Sequence, residues 1–141
     1  MLNGNTPTQF QTNFKGIYIA FDFDGTITTD NRYPEVGELR PGIVQCIKDL
    51  QELGAQIIIY TCRDKCTVVQ LDAYSKMISF LRKNGICNFM VNQNITCGFV
   101  SRKPFAHIYV DDASLFWDPN ITGQQIFNQI CKRLNVMPKK Y

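Results

Sequence analysis

The chain has 141 residues, 45% of them hydrophobic and 19% charged, with a formal net charge of +3. That length suits one domain whose core needs no disulfide or metal staple. The charge is too small to argue for nucleic acid or a membrane surface, and no apolar run approaches the roughly 20 residues of a membrane span.

Residues 1–15 are polar and lack the basic start and apolar core of a secretory signal, so they read as a flexible tail before a single domain over 16–141. Gly16–Phe21 is the first predicted strand, and it runs straight into Asp22, Asp24, Gly25 and Thr26. Thr28 to Arg40 is polar and punctuated by Pro34 and Gly37. Pro41 suits a first helical turn, Ile43, Ile47 and Leu50 follow at helical spacing, and Gly54 stops the helix. Ala55–Tyr60 is a second strand, ended by Thr61 and the loop residues Cys62 and Arg63. Leu71, Tyr74, Ile78 and Leu81 mark a second helix that Asn84 and Gly85 close. Phe89–Val91 is a short third strand, and a polar loop from Asn92 to Lys103 follows it. His107–Val110 is a fourth strand leading into Asp111 and Asp112, after which Phe116 and Trp117 read as packing residues. Thr122 and Gln125 have the spacing of a capping box and open a last helix through Ile126, Phe127, Ile130 and Leu134.

Alternating strands and helices predict an α/β fold: a single three-layer, Rossmann-like domain with a mostly parallel sheet and helices on both faces. Right-handed crossovers then bring every strand's carboxyl end to one edge, where ligands of open α/β sheets bind. Asp22, Asp24, Thr61, Asp111 and Asp112 converge there. Carboxylates this close repel one another unless a hard cation sits among them, and all-oxygen ligation suits Mg²⁺. The residue types fit phosphoryl transfer: a carboxylate nucleophile, a proton shuttle, a bound cation, and Thr61 and Lys103 to hold the transferring group. Arg63 is equally well a phosphate clamp or a plain loop cation. The six cysteines show no Cys-x-x-Cys pair and several sit in apolar patterns, which reads as reduced thiols in a cytoplasmic protein. His107, the one histidine, stands in an apolar run and reads as a sheet residue, so a structural zinc site is not expected.

The order Asp-x-Asp-Gly-Thr, Thr, Lys, Asp-Asp resembles the haloacid dehalogenase-like superfamily over residues 16–117. The resemblance implies Asp22 as nucleophile and Asp24 as general acid and then base, with the Asp24 main-chain carbonyl on the metal. It implies Thr61 and Lys103 on the phosphoryl group, with Arg102 as the alternative cation. Asp22, Asp24, Asp111 and Asp112 are the implied metal residues, and Gly25 and Thr26 supply contacts to the substrate. Asp24 points away from dehalogenation, which has no leaving alkoxide to protonate. Neither 28–40 nor 62–64 is long enough for a cap domain, so the chain is similar to capless members; Asn31 to Pro34 resembles the short flap of some of them. A two-component receiver uses the same residue types in another order, with its paired acids first.

These features imply a Mg²⁺-dependent phosphatase acting on phosphate monoesters through an aspartyl phosphate, with a nucleotide or another bulky phosphomonoester as substrate. One alternative is a nucleotidase or nucleic-acid-end phosphatase. Another is a non-catalytic metal- or phosphate-binding regulatory module. No membrane partner is expected, the nucleic-acid signal is not strong, and the oligomeric state is open.

Overall fold

Short, near-continuously apolar strands must be covered on their faces, and in this chain each is followed by a connection long enough to cross back over the sheet. The computed structural model describes residues 14–63, 65, 67–93 and 104–136. In chain order come β1 (Tyr18–Phe21), α1 (Ile43–Glu52), β2 (Gln56–Ile59), α2 (Val68–Lys83), β3 (Phe89–Val91), β4 (Ile108–Val110) and α3 (Gly123–Leu134). The strands form one sheet in the order β3-β2-β1-β4. Every neighbouring pair is parallel, with Ile19 opposite Ile57 and Ile108, and Ile57 opposite Phe89. This is a single Rossmann-like α/β domain, with no cap domain among the described residues. None of the described helices is long and apolar enough to cross a membrane.

Side chains alternate across a strand, so the register sorts the two faces. Ile19, Phe21, Ile57, Ile59, Phe89, Val91, Ile108 and Val110 share one face, and all belong to the main core. The inward residues of all three helices join that same core: Ile47 and Leu50 from α1, Met77 and Leu81 from α2, Phe127 and Ile130 from α3. The opposite face gathers Ala20, Ile58 and Ala106 with half-buried Tyr18, Tyr60 and Tyr109. Helices on both faces are therefore not what the described residues form. The strand order gives the reason. Stepping from β1 to β2 to β3 in one direction places both right-handed crossovers, α1 and α2, on one side. The connection back to β4 includes residues 94–103, which lie outside the described part.

Local chemistry fixes the helix ends. Thr122 and Gln125 form the expected capping box: the Thr122 hydroxyl accepts the Gln125 N–H at 3.2 Å, and the Gln125 side chain accepts the Thr122 N–H at 2.9 Å. Thr67 caps α2 by accepting from the Gln70 N–H. Helix α1 starts at Ile43, later than Pro41 suggested. Gly42 adopts φ +78° before it, and a Cβ on Gly123 would sit 2.1 Å from the Gly42 carbonyl oxygen. The starts of α1 and α3 meet through backbone there, with the Gly123 N–H on the Pro41 carbonyl at 2.8 Å.

Two other expectations change. Phe14, placed in the tail by sequence, is fully buried in the core and donates its N–H to the Leu53 carbonyl. The fold thus begins before residue 16, and the rest of the expected tail, 1–13, lies outside the described residues. Phe116 is 91% exposed rather than packed. Trp117 does pack, against the core and the Arg40 guanidinium.

Candidate active site

Strand β1 lies between β2 and β4, the place where the strand order reverses and ligands of such sheets bind. Asp22 leaves β1 still paired to β4, its N–H on the Val110 carbonyl at 2.9 Å. The chain then turns tightly through Phe23–Ile27, with Gly25 at φ +88°. A glycine is required twice over: the left-handed backbone disfavours a side chain, and a Cβ would lie 2.3 Å from Asp112 Oδ2. The Gly25 N–H is taken by the Thr28 hydroxyl at 3.1 Å, which fixes the turn from within.

Asp111 and Asp112 follow β4 at the same edge. One oxygen each from Asp22, Asp111 and Asp112 lies within 4.8 Å of the others. Thr26, fully buried, orders them. Its hydroxyl oxygen accepts the Asp112 N–H at 2.9 Å and lies 3.1 Å from Asp22 Oδ2 and 3.3 Å from Asp112 Oδ1. Its single proton serves one carboxylate at a time. Thr26 thus ties the turn after β1 to the acids that follow β4. Burial pushes the Asp22 carboxyl up to about 8, helped by its hydrogen bond with Asp112 and the charges of Asp111 and Asp112, and opposed by Thr26. Three clustered carboxylates with this electrostatic cost fit a hard divalent cation held by oxygen, as Mg²⁺ is. The Asp24 carboxylate is not among the three.

Asp24 turns instead to Arg63. Nε donates to Oδ2 at 2.8 Å and Nη2 to Oδ1 at 2.7 Å, a two-pronged ion pair. Arg63 is fully buried, and its remaining N–H groups go to the carbonyls of Pro34, Glu35 and Ala73. With all five donors spent inside the protein, it is neither a phosphate clamp nor a loop cation.

Thr61 follows β2 at the same edge. Its hydroxyl accepts the Arg63 N–H at 3.1 Å. Its backbone is gripped from β3: the Asn92 side chain accepts the Thr61 N–H at 2.8 Å and donates to the Thr61 carbonyl at 2.9 Å. That side chain imitates one more rung of a sheet. Lys103 and Arg102 lie outside the described residues.

Sequence reasoning missed Asn92 and Arg40. Arg40 is 2% exposed and sits beneath the Asp22 turn. Its donors reach the carbonyls of Thr26 (2.6 Å), Gly25 (2.8 Å), Thr28 (3.4 Å), Pro119 (2.9 Å) and Ile121 (2.9 Å). Burial lowers its pKa while the charges of Asp112 and Asp118 oppose that. Nothing local in the sequence announces a cation whose partners are all backbone oxygens, some of them about eighty positions away. His107 is exposed, and its Nδ1 accepts the Tyr18 N–H at 3.0 Å, which makes it part of the sheet margin as expected.

Among solved structures, the chain is similar to a conserved protein from Bacteroides thetaiotaomicron: 28% identity, TM-score 0.69, covering 83% of this chain and 91% of that one. No protein-family model matches the sequence, and no curated protein does.

Proposed function

We propose that this chain is a Mg²⁺-dependent phosphatase of haloacid dehalogenase type acting on phosphate monoesters. The observation that carries the reading is the convergence of Asp22, Asp111 and Asp112 at the sheet's reversal point, with Asp22 under strong electrostatic pressure. Those three carboxylates would hold the cation, which supplies charge neutralisation at the transferring group. Asp22 attacks phosphorus, the bond to the leaving oxygen breaks, and Asp24 gives that oxygen its proton. Asp24 then takes a proton from water as it attacks the aspartyl phosphate, which regenerates Asp22 and releases phosphate. Thr61 and Lys103 are the proposed donors to the phosphoryl oxygens. Lys103→Ala should lower kcat/KM by roughly ten- to a hundredfold, the scale of one charge-assisted contact.

Among the described residues no cap domain covers this edge, which favours a bulky leaving group such as a nucleotide. Buried free thiols at Cys46 and Cys131 favour a reducing, cytoplasmic setting. One observation favours a second reading, a metal- or phosphate-binding module without turnover: both Asp24 oxygens are engaged by Arg63. Phosphate release from 4-nitrophenyl phosphate and a nucleotide panel separates the two. Turnover that needs Mg²⁺, stops with EDTA and is lost in Asp22→Asn supports the phosphatase. Undiminished turnover after rigorous metal removal rules the mechanism out, and Mg²⁺ binding without any turnover selects the module.

A further inference from the structure

Arg63 touches three parts of the molecule that are separate in sequence. It grips Asp24 through two prongs. It donates to the Pro34 and Glu35 carbonyls in the segment between β1 and α1, and to the Ala73 carbonyl in α2. Its guanidinium lies over two rings, those of Phe23 and Tyr33, each centred 5.2 Å away. The segment from Thr28 to Leu39 is a small flap, pinched at its base by the Thr28–Leu39 bridge and the Thr29 N–H on the Glu38 carbonyl. Beside Arg63, the flap meets the α/β body through the Lys76–Glu35 ion pair on the surface and through Val36 and Leu39, which pack against the core; among these contacts Arg63 is the one that also holds Asp24.

We propose that Arg63 is a positioning residue that couples the flap to Asp24, so that the flap's seating fixes the orientation of the acid–base carboxylate. The role in turnover rests on the phosphatase reading; the mechanical coupling does not. A buried ion pair contributes little net stability over an apolar replacement, so stability alone is a weak reason for this one. What an arginine adds is a planar fork that holds a carboxylate in one orientation while its outer N–H groups hold backbone elsewhere. Flap and carboxylate share one guanidinium, so displacing Pro34 and Glu35 pulls on the group that aims Asp24. Proton transfer is sensitive to that aim, because the acid must reach the leaving oxygen within hydrogen-bond distance.

The test uses the full chain and two readouts. The first is amide hydrogen exchange at Glu35 and Glu38, whose N–H groups bond to the Arg32 carbonyl and the Asp30 side chain within the flap. Arg63→Lys and Asp24→Asn should each speed flap exchange at least tenfold, and Asp22→Asn, which has no flap contact here, should not. If Arg63→Lys does not fold, Asp24→Asn carries this arm alone. Unchanged flap exchange in Asp24→Asn overturns the coupling. The second readout is kinetic, on Tyr33→Leu, a partly exposed site that removes the ring from the guanidinium. With 4-nitrophenyl phosphate and Mg²⁺ it should lower kcat several-fold and leave KM within twofold, and Tyr33→Phe should restore kcat. In an Asp24→Asn background, single-turnover release from 2,4-dinitrophenyl phosphate should show no further loss from Tyr33→Leu, because the group being aimed is gone. An equal loss in both backgrounds overturns the positioning role. If flap exchange responds as expected but the parent protein hydrolyses no phosphomonoester, the coupling stands and the phosphatase reading falls.

Discussion

An acid whose carboxyl is held near 8 changes what pH does to the folded chain. Asp22 begins from an ordinary value of 3.8 and is raised by burial and its acidic neighbours. The folded state therefore binds its proton more tightly than the unfolded state. Between about pH 4 and pH 8 the unfolded chain has released that proton and the metal-free folded chain has not, so stability falls as pH rises through that window. Thermal melts of the EDTA-treated protein should decline across it. Asp22→Asn should flatten the decline and melt no lower than the parent at pH 8. Added Mg²⁺ should stabilise the parent most at the high end, where its carboxylate ligands ionise most readily. A rise in melting temperature over the same window would refute the assignment. Gly25 carries a second expectation at this scale. Gly25→Ala strains a left-handed backbone by about 1–2 kcal/mol and drives a methyl into Asp112. Urea unfolding should show at least that loss, and the Mg²⁺-induced stabilisation should shrink or vanish. The need for glycine was readable from Asp-x-Asp-Gly-Thr, but the particular carboxylate it makes room for was not, because Asp112 lies 87 positions further on.

At the scale of elements, the strands and caps were legible because their causes are local. Apolar runs of four residues, Thr122 with Gln125, and Asn84 with Gly85 each act within a few positions. The sidedness of the helices was not, because it depends on the order in which strands are laid down. Loop geometry escaped for a similar reason. In sequence Arg63 reads as a phosphate clamp or a loop cation and Arg40 carries no assignment, yet each exhausts its donors on distant partners. Their removal should therefore differ from that of a surface arginine. Arg40→Met leaves several buried carbonyls near Gly25, Thr26 and Ile121 without a donor, at about 1–3 kcal/mol for each one that water cannot reach. Equilibrium unfolding should lose at least 3 kcal/mol, on the order of breaking a buried charge network. A loss within about 0.5 kcal/mol, typical of a surface site, would mean that the turn finds its shape without Arg40.

Across the whole molecule, the described thiols divide by burial. Cys62 and Cys87 are exposed; Cys46 and Cys131 lie in the core, where burial pushes both thiols up, Cys131 to about 11. A thiol reacts as its thiolate. Brief alkylation of the native protein should modify Cys62 and Cys87 and spare Cys46 and Cys131 until the chain unfolds, as peptide mass spectrometry would read out. Activity should survive apart from crowding at Cys62, which stands next to Thr61. Rapid native labelling of Cys46 would contradict the core placement.

Arg40 also sets an order of events. Its guanidinium fastens residues 25–28 to Pro119 and Ile121, so the turn bearing the first acids is braced by chain made almost a hundred residues later. During synthesis, Asp22, Asp24, Arg63, Asp111 and Asp112 all emerge before that brace exists. On the phosphatase reading, a polypeptide ending at residue 118 would own each of those acids and still be inert, since it lacks both the brace and the core helix α3, and supplying 119–141 as a separate peptide should restore the proposed hydrolysis. Competence, on the phosphatase reading, waits for the brace at Pro119 and Ile121 as well as for the residues proposed to perform the chemistry.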